Sequence, residues 1–163
     1  TPVSPELLPP NEDGTIQHAG VIIGLQGVAG HAFAGQAHES PGYFGRAMNA
    51  HDLNAVTAAC MLVKKEAFEA AGGFDPELAV AFNDIDFCLQ VRKAGYLVVY
   101  NPYAELYHYE SKSRGIEDSE QKVRRFMGEI ETFHEKWFDI LEKGDPYYNP
   151  NLTLTENNFD LRQ

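Results

Sequence analysis

Two stretches of this sequence hold side chains whose types and spacing could do chemistry. In AFNDIDFCLQVRKAGY, residues 81–96, Asp84 and Asp86 open an apolar-periodic run that Gly95 closes. The pattern predicts a short helix over residues 84–94, with both acids in its first turn. An Asn or Asp side chain there caps a backbone N–H, and an acid gains about 0.3–1 kcal/mol from the helix dipole. The same dipole favours an ionised carboxylate, the form a general base needs. Cap and base therefore fit the residue types equally. The preceding GGFDPELAVAFND reads as two turns around an acid, a loop suited to bringing Asp84 to the rim of a sheet, where α/β sites lie.

The second stretch is LYHYESKSRG, residues 106–115. His108 could ligate a divalent metal through one imidazole nitrogen. Ser111, Ser113 and Arg114, beside the permissive Gly115, could donate hydrogen bonds to phosphate oxygens. A strand-end histidine followed by a solvated polar turn explains the same residues without chemistry. His18, His31, His38 and His51 are too scattered to form a compact ligand set, so no dedicated zinc site is expected. Cys60 and Cys88 lie in apolar stretches at no metal or redox spacing. They read as buried free thiols, which suits a reducing compartment.

Positioning these groups takes a scaffold, and the chain supplies its signals in order. Residues 1–13, proline-rich and aperiodic, read as an extended lead-in. GTIQHAGVIIG predicts a strand or hairpin, and residues 24–50 a long loop, functional or mobile. NAVTAACMLVKKEAFEAAGGFD predicts a strand at 56–63, a helix at 65–71 and a left-handed stop at Gly72. YLVVYNP predicts a strand at 97–101, AELYHYE another short one. From Ser119 to Leu141, Val123, Phe126, Met127, Ile130, Phe133, Trp137, Ile140 and Leu141 recur every three or four residues, the buried stripe of an amphipathic helix. The strands at 56–63 and 97–101 are expected to be neighbours in one sheet, with the helices at 84–94 and 119–141 packed nearby. The irregular tail, 145–163, has aromatics suited to lying over the core. The whole of 1–163 reads as a single domain without repeats.

Composition narrows the function. With 44% hydrophobic and 12% aromatic residues the chain can bury a core, which excludes wholesale disorder. Its net charge of −11 repels polyphosphate backbones, so no nucleic-acid partner is expected. A small anionic ligand remains compatible, since a few local cations and backbone donors suffice to hold it. No apolar run has the length of a membrane span and no signal-peptide pattern opens the chain, so the expected location is cytoplasmic.

NAVTAACMLVKKEAFEAAGGFDPELAVAFNDIDFCLQVRKAGY together with AELYHYESKSRG resembles the carboxy-terminal half of a bacterial family 2 glycosyltransferase, in the rhamnosyltransferase-like branch that builds surface polysaccharides. The resemblance runs from about Gly14 to Arg162. It implies an α/β fold, the acceptor-side part of a Rossmann-like (A-type) nucleotide-diphospho-sugar transferase with a mixed sheet and flanking helices. It implies transfer of a sugar from a nucleoside-diphosphate donor to a glycan or lipid-linked acceptor hydroxyl, with inversion. The family's acidic pair falls on Asn83 and Asp84, where its first member is often glutamate, and Asp84 inherits the part of catalytic base. Asp86 is then a cap or a supporting acid beside the substrate.

The resemblance places Thr57, Ala58 and Ala59 beside the donor sugar and gives Ser111, Ser113 and Arg114 to a segment closing over the donor. His108 matches a late histidine that helps hold a divalent ion, Mg or Mn, in the full-length enzyme. The family's amino-terminal half, with its nucleotide-binding strands and metal-binding Asp-x-Asp, has no counterpart here. The chain therefore reads as a fragment, inactive alone, of an enzyme that could sit peripherally at the inner face of a membrane. Missing strands would leave a sheet edge able to pair with a second copy. The rival reading from another class is a non-catalytic interaction module that keeps the scaffold.

Overall fold

The computed structural model describes residues 3–5, 14–106 and 119–163. Among them run strands β1 (Val3–Pro5), β2 (Val21–Ile23), β3 (Ala29–His31), β4 (His51–Leu53) and β5 (Val98–Asn101). The helices are α1 (Lys65–Ala71), α2 (Asn83–Lys93) and α3 (Glu120–Lys143). β5 is central in a mixed sheet, parallel to β1 and antiparallel to β4, with His51 opposite Tyr100 and Leu53 opposite Val98. β2 and β3 form a separate antiparallel hairpin, and a bridge from Val21 to Ala55 ties it to the segment after β4. The architecture is mixed α/β, as the sequence predicts.

The helix signals act where they stand. Gly72 ends α1 in a left-handed conformation (φ 81°), its N–H returning to the Glu69 carbonyl. Gly95 (φ 87°) turns the chain out of α2 toward β5. Phe68 of α1 and Phe74 pack against the Phe87 ring of α2, with centroids 5.3 and 4.9 Å away. On β5, Val98 and Tyr100 face inward, and the Tyr100 hydroxyl donates to the Ala47 carbonyl at 2.7 Å.

Residues 56–63 correct an expectation, because they form no strand. Val56 is buried, Ala58–Cys60 is one turn of 3₁₀ helix, and β5 pairs with β1 and β4 instead. Side chains occupy the backbone groups that a ladder would need. His18 Nε2 accepts the Thr57 N–H at 3.2 Å, the Asp84 carboxylate accepts the Ala58 N–H at 3.0 Å, and the Cys88 thiol donates to the Val56 carbonyl at 3.6 Å. A segment satisfied this way gains nothing from strand pairing. Cys60, also read as buried, is half-buried here; Cys88 is fully enclosed.

The stripe on α3 is likewise shorter than its periodicity. Phe133 and Trp137 are buried, but Val123, Phe126 and Met127 are 48, 40 and 53% exposed. Toward the start of α3, the Phe82 ring lies 5.7 Å from the Phe126 ring, and the Val80 and Ala81 amides meet Glu129. The expected strand in AELYHYE lies mostly outside the described residues.

The tail closes the core as its aromatics suggest. Tyr148, Leu152 and Phe159 are buried, and the Phe33 and Phe159 rings stack at 4.4 Å. Asp145 fastens this tail to the hairpin. Its carboxylate accepts the Ile23 N–H (3.0 Å), the Asn54 amide (2.9 Å) and the Tyr147 N–H (2.9 Å). Burial pushes this carboxyl above the usual range, while the Ile23 and Tyr147 donors and the charges of Arg46 and Arg92 pull it back. Truncation orphans the donors around it. Asp145→Ala is expected to lower stability by at least about 2 kcal/mol, since each unsatisfied buried donor costs roughly 1–3 kcal/mol. Urea unfolding monitored by Trp137 fluorescence checks this.

Candidate functional site

The start of α2 is where chain geometry and chemistry meet. A helix leaves its first N–H groups without partners, and an asparagine and an aspartate stand ready to take them. The Asn83 side chain accepts the Asp84 N–H at 2.7 Å, and Asp84 Oδ1 accepts the Ile85 N–H at 2.9 Å. The residue at the cap position itself, Phe82, has no side-chain acceptor and sits in the left-handed region (φ 61°). Asp84 thus has a capping part, and it does more. Its second oxygen, Oδ2, holds the Ala58 N–H. The acid therefore joins α2 to the turn that contains Thr57, Ala58 and Ala59.

That turn faces solvent. Ala58 and Ala59 are exposed and Thr57, Asn83 and Asp84 are half-buried. Two methyl side chains leave the rim around the carboxylate uncrowded. Beneath it, His18 is 1% exposed and meets the His31 ring edge-on, with centroids 4.5 Å apart. The structure thus brings together Thr57, Ala58, Ala59, Asn83 and Asp84 from two distant parts of the sequence. His108, Ser111, Ser113 and Arg114 lie outside the described residues.

Asp86 points elsewhere. It is 1% exposed, and its Oδ1 accepts the Trp137 indole N–H at 2.8 Å and pairs with the Lys136 ammonium at 2.8 Å. Lys136 also binds Asp75 at 2.6 Å, so one cation links α3, α2 and the loop after α1. Burial pulls the Lys136 ammonium down, but its hydrogen bonds to Asp75 and Asp86 outweigh this and hold it above its usual value. Lys136 first, then the Glu77 N–H, hold the Asp75 carboxyl below its usual value.

Sequence reasoning missed two residues here. Glu129, 4% exposed, accepts the Val80 and Ala81 N–H groups at 3.0 and 3.1 Å, one on each carboxylate oxygen. His18 supports the Thr57 turn from below. The signal for Glu129 was available, because it and Lys136 stand in phase with Phe126, Phe133 and Trp137 on the inward face of α3. A charge in an apolar stripe must find a partner. For His18 the sequence offers no such signal.

No group of three or more His, Cys, Asp or Glu side chains among the described residues could hold an ion. Asp84 and Asp86 diverge, one to the rim and the other into the core. No helix among the described residues is long and apolar enough to cross a membrane.

Comparison with known proteins gives the chain its relatives. It is 52% identical over 150 residues to the uncharacterized protein y4gI of Sinorhizobium fredii, covering 91% of this chain and 16% of that protein. It is 37% identical over 153 residues to the O-antigen biosynthesis protein RfbC of Myxococcus xanthus, covering 93% of this chain and 12% of that one. Over 60 residues it is 38% identical to an N-acetylglucosaminyl-diphospho-decaprenol L-rhamnosyltransferase of Mycobacterium tuberculosis, 37% of this chain and 20% of that protein. The chain thus spans a fifth or less of these relatives' lengths. No family model and no solved structure matches it.

The linkage through Lys136 makes an asymmetric prediction. Lys136→Met strands the buried Asp86 charge and is expected to cost about 3 kcal/mol. Asp75→Asn, at a partly exposed carboxylate, is expected to cost at most about 1 kcal/mol. A lowered carboxyl pKa stabilises above the unfolded value and loses that contribution as pH falls through the folded one. A raised ammonium pKa stabilises below the unfolded value and loses it as pH rises through the folded one. The Tm gap between the parent and Asp75→Asn should therefore hold steady at neutral pH. It should narrow below the ordinary aspartate value of 3.8.

Proposed function

We propose that this chain, which is related to the family 2 glycosyltransferases of rhamnosyltransferase-like type, forms the acceptor side of an A-type sugar transferase in surface-polysaccharide synthesis. The donor in this reading is a nucleoside-diphosphate sugar, and the acceptor a hydroxyl of a glycan or lipid-linked glycan. The observation that supports it is the junction of Asp84 with the Thr57–Ala59 turn. There a carboxylate is held at a solvent-facing rim by the Ala58 and Ile85 N–H groups. The 37% identity to an O-antigen biosynthesis protein, running through this junction, supports the polysaccharide context.

The chemistry is a single displacement. Asp84 takes the acceptor hydroxyl proton as that oxygen attacks the anomeric carbon from the face opposite the leaving group. The new C–O bond forms while the bond to the diphosphate oxygen breaks. The bonding pair leaves with the diphosphate, the proton stays on Asp84, and the anomeric centre inverts. The small Ala58 and Ala59 side chains give the sugar room beside the carboxylate. Ser111, Ser113 and Arg114 are assigned to the diphosphate, whose growing charge calls for hydrogen-bond donors. In the full-length enzyme His108 would help hold a divalent ion, Mg or Mn, that would offset the charge growing on the diphosphate.

The two aspartates separate the roles by experiment. In the full-length enzyme, Asp84→Asn keeps the cap and is expected to shift stability by less than about 1 kcal/mol. Losing the base should cost about 10²–10⁴-fold in kcat. Asp86→Asn weakens the Lys136 pair, so its deficit should appear in the melting curve, with activity per folded molecule retained. Near-parental transfer by Asp84→Asn would remove it from the mechanism.

The isolated 163-residue chain is expected to turn over no sugar nucleotide, because the diphosphate's main binding surface lies in the donor half. Turnover above an Asp84→Asn control would overturn the acceptor-side assignment.

A further inference from the structure

The segment from Ala79 to Phe82 belongs to no helix or strand, yet it must deliver Asp84 to a fixed place. Its two successive amides, Val80 and Ala81, both point at Glu129, one to each carboxylate oxygen. Two adjacent N–H groups converge on one carboxylate only if the peptides between them take a narrow range of angles. The next residue, Phe82, then adopts a left-handed backbone, which a bulky side chain resists. Its ring is held against Phe126 and Phe133 of α3, at 5.7 and 5.3 Å between centroids. After Phe82 come Asn83 and Asp84.

Glu129 has little else to do. It is 4% exposed, and among the described residues its carboxylate meets, besides the two amides, the Arg125 side chain at 3.9 Å, one helical turn back. A buried carboxylate in an apolar stripe costs desolvation, which an alanine or leucine would avoid. Strained backbone fixed by a dedicated side chain, directly before a proposed catalytic group, is the arrangement by which sites hold their geometry.

We propose that Glu129 is a positioning residue for Asp84: by fixing the Val80 and Ala81 amides it sets the backbone at Phe82 and so the place of the carboxylate relative to the Thr57–Ala59 turn. This rests on the reading of Asp84 as the base. It adds a residue 45 positions away, on a different helix, to the machinery of that step.

Hydrogen exchange on the unmodified chain is the first test. The Val80 and Ala81 amides, outside any helix or strand, are expected to exchange at least about tenfold more slowly than unprotected amides. Exchange at the unprotected rate overturns the proposal, whatever the variants do.

Kinetics on the full-length enzyme is the second. Glu129→Gln keeps one acceptor oxygen and Glu129→Ala keeps none. Their kcat is expected to fall by about tenfold and about a hundredfold, the scale of a small misplacement of a reacting group. KM for the sugar nucleotide should stay unchanged, whereas a purely structural role would leave kcat per folded molecule intact. A folded Glu129→Ala with parental kcat, beside an inactive Asp84→Asn, overturns the positioning role alone. An Asp84→Asn with parental kcat overturns the base assignment, and the positioning role falls with it. If the Glu129 variants do not fold, the exchange rates of Val80 and Ala81 in the parent chain decide.

Discussion

The grip of α3 on the segment from Asp75 to Asp86 is the interaction on which the rest of this structure depends. Three polar groups on the inward face of α3 reach that segment: Glu129 to two backbone amides, Lys136 to Asp75 and Asp86, and the Trp137 indole to Asp86. The helix departs from regular geometry at Trp137 (φ −119°, ψ 21°), the residue whose indole N–H binds the buried Asp86. Lys93 of α2 adds its ammonium over the Trp137 ring at 4.1 Å. Apolar packing alone would let two helices slide. Directional bonds to buried charges do not, and this is the kind of use for which buried polar groups are worth their desolvation cost.

The second constraint follows from the small size of the sheets. Strands of three or four residues cannot satisfy the backbone of a 163-residue chain, so side chains do much of that work. Around Val56 to Ala58 a histidine, a thiol and an aspartate replace a neighbouring strand. The same aspartate is the proposed base, so the turn beside it is held by the group it serves. A carboxylate that must keep a backbone donor is fixed in place, and orientation is a large part of what catalysis requires.

Much of this was legible in the sequence, and the exceptions have physical causes. The three helices stand where periodicity and glycine stops put them, because those signals are local. Strand β2 and the buried tail aromatics also follow from pattern, whereas β3 lies within residues 24–50, which the sequence reads as a loop. The strand expected at 56–63 does not form, since its apolar run records burial and burial does not require a ladder. Which side chains would take those amides depended on contacts 26 to 39 residues away, which no local pattern encodes. Thr57–Ala59 and Asp84 were singled out separately through family resemblance; that Asp84 binds the Ala58 amide is seen in the structure alone. The supporting shell of Glu129 and His18 was not read at all. Glu129 could have been, as a charge in phase with Phe133.

Asp84 and Asp86 show why such a shell matters. On a helix, residues two apart point to nearly opposite faces. An Asp-x-Asp in the first turn of α2 therefore cannot present both carboxylates to one ligand. The helix must give one to the rim and one to the core, and the partners decide which. Trp137 and Lys136 wait on the core side, and the Ala58 amide on the rim side. α2 is enclosed on most of its circumference, with Ile85, Phe87, Leu89 and Val91 all buried, so packing on several sides holds its rotation. That packing and the pairing of Asp86 with Lys136 and Trp137 together hold α2 in place. The proposed base faces solvent because its neighbour two residues on is locked inside.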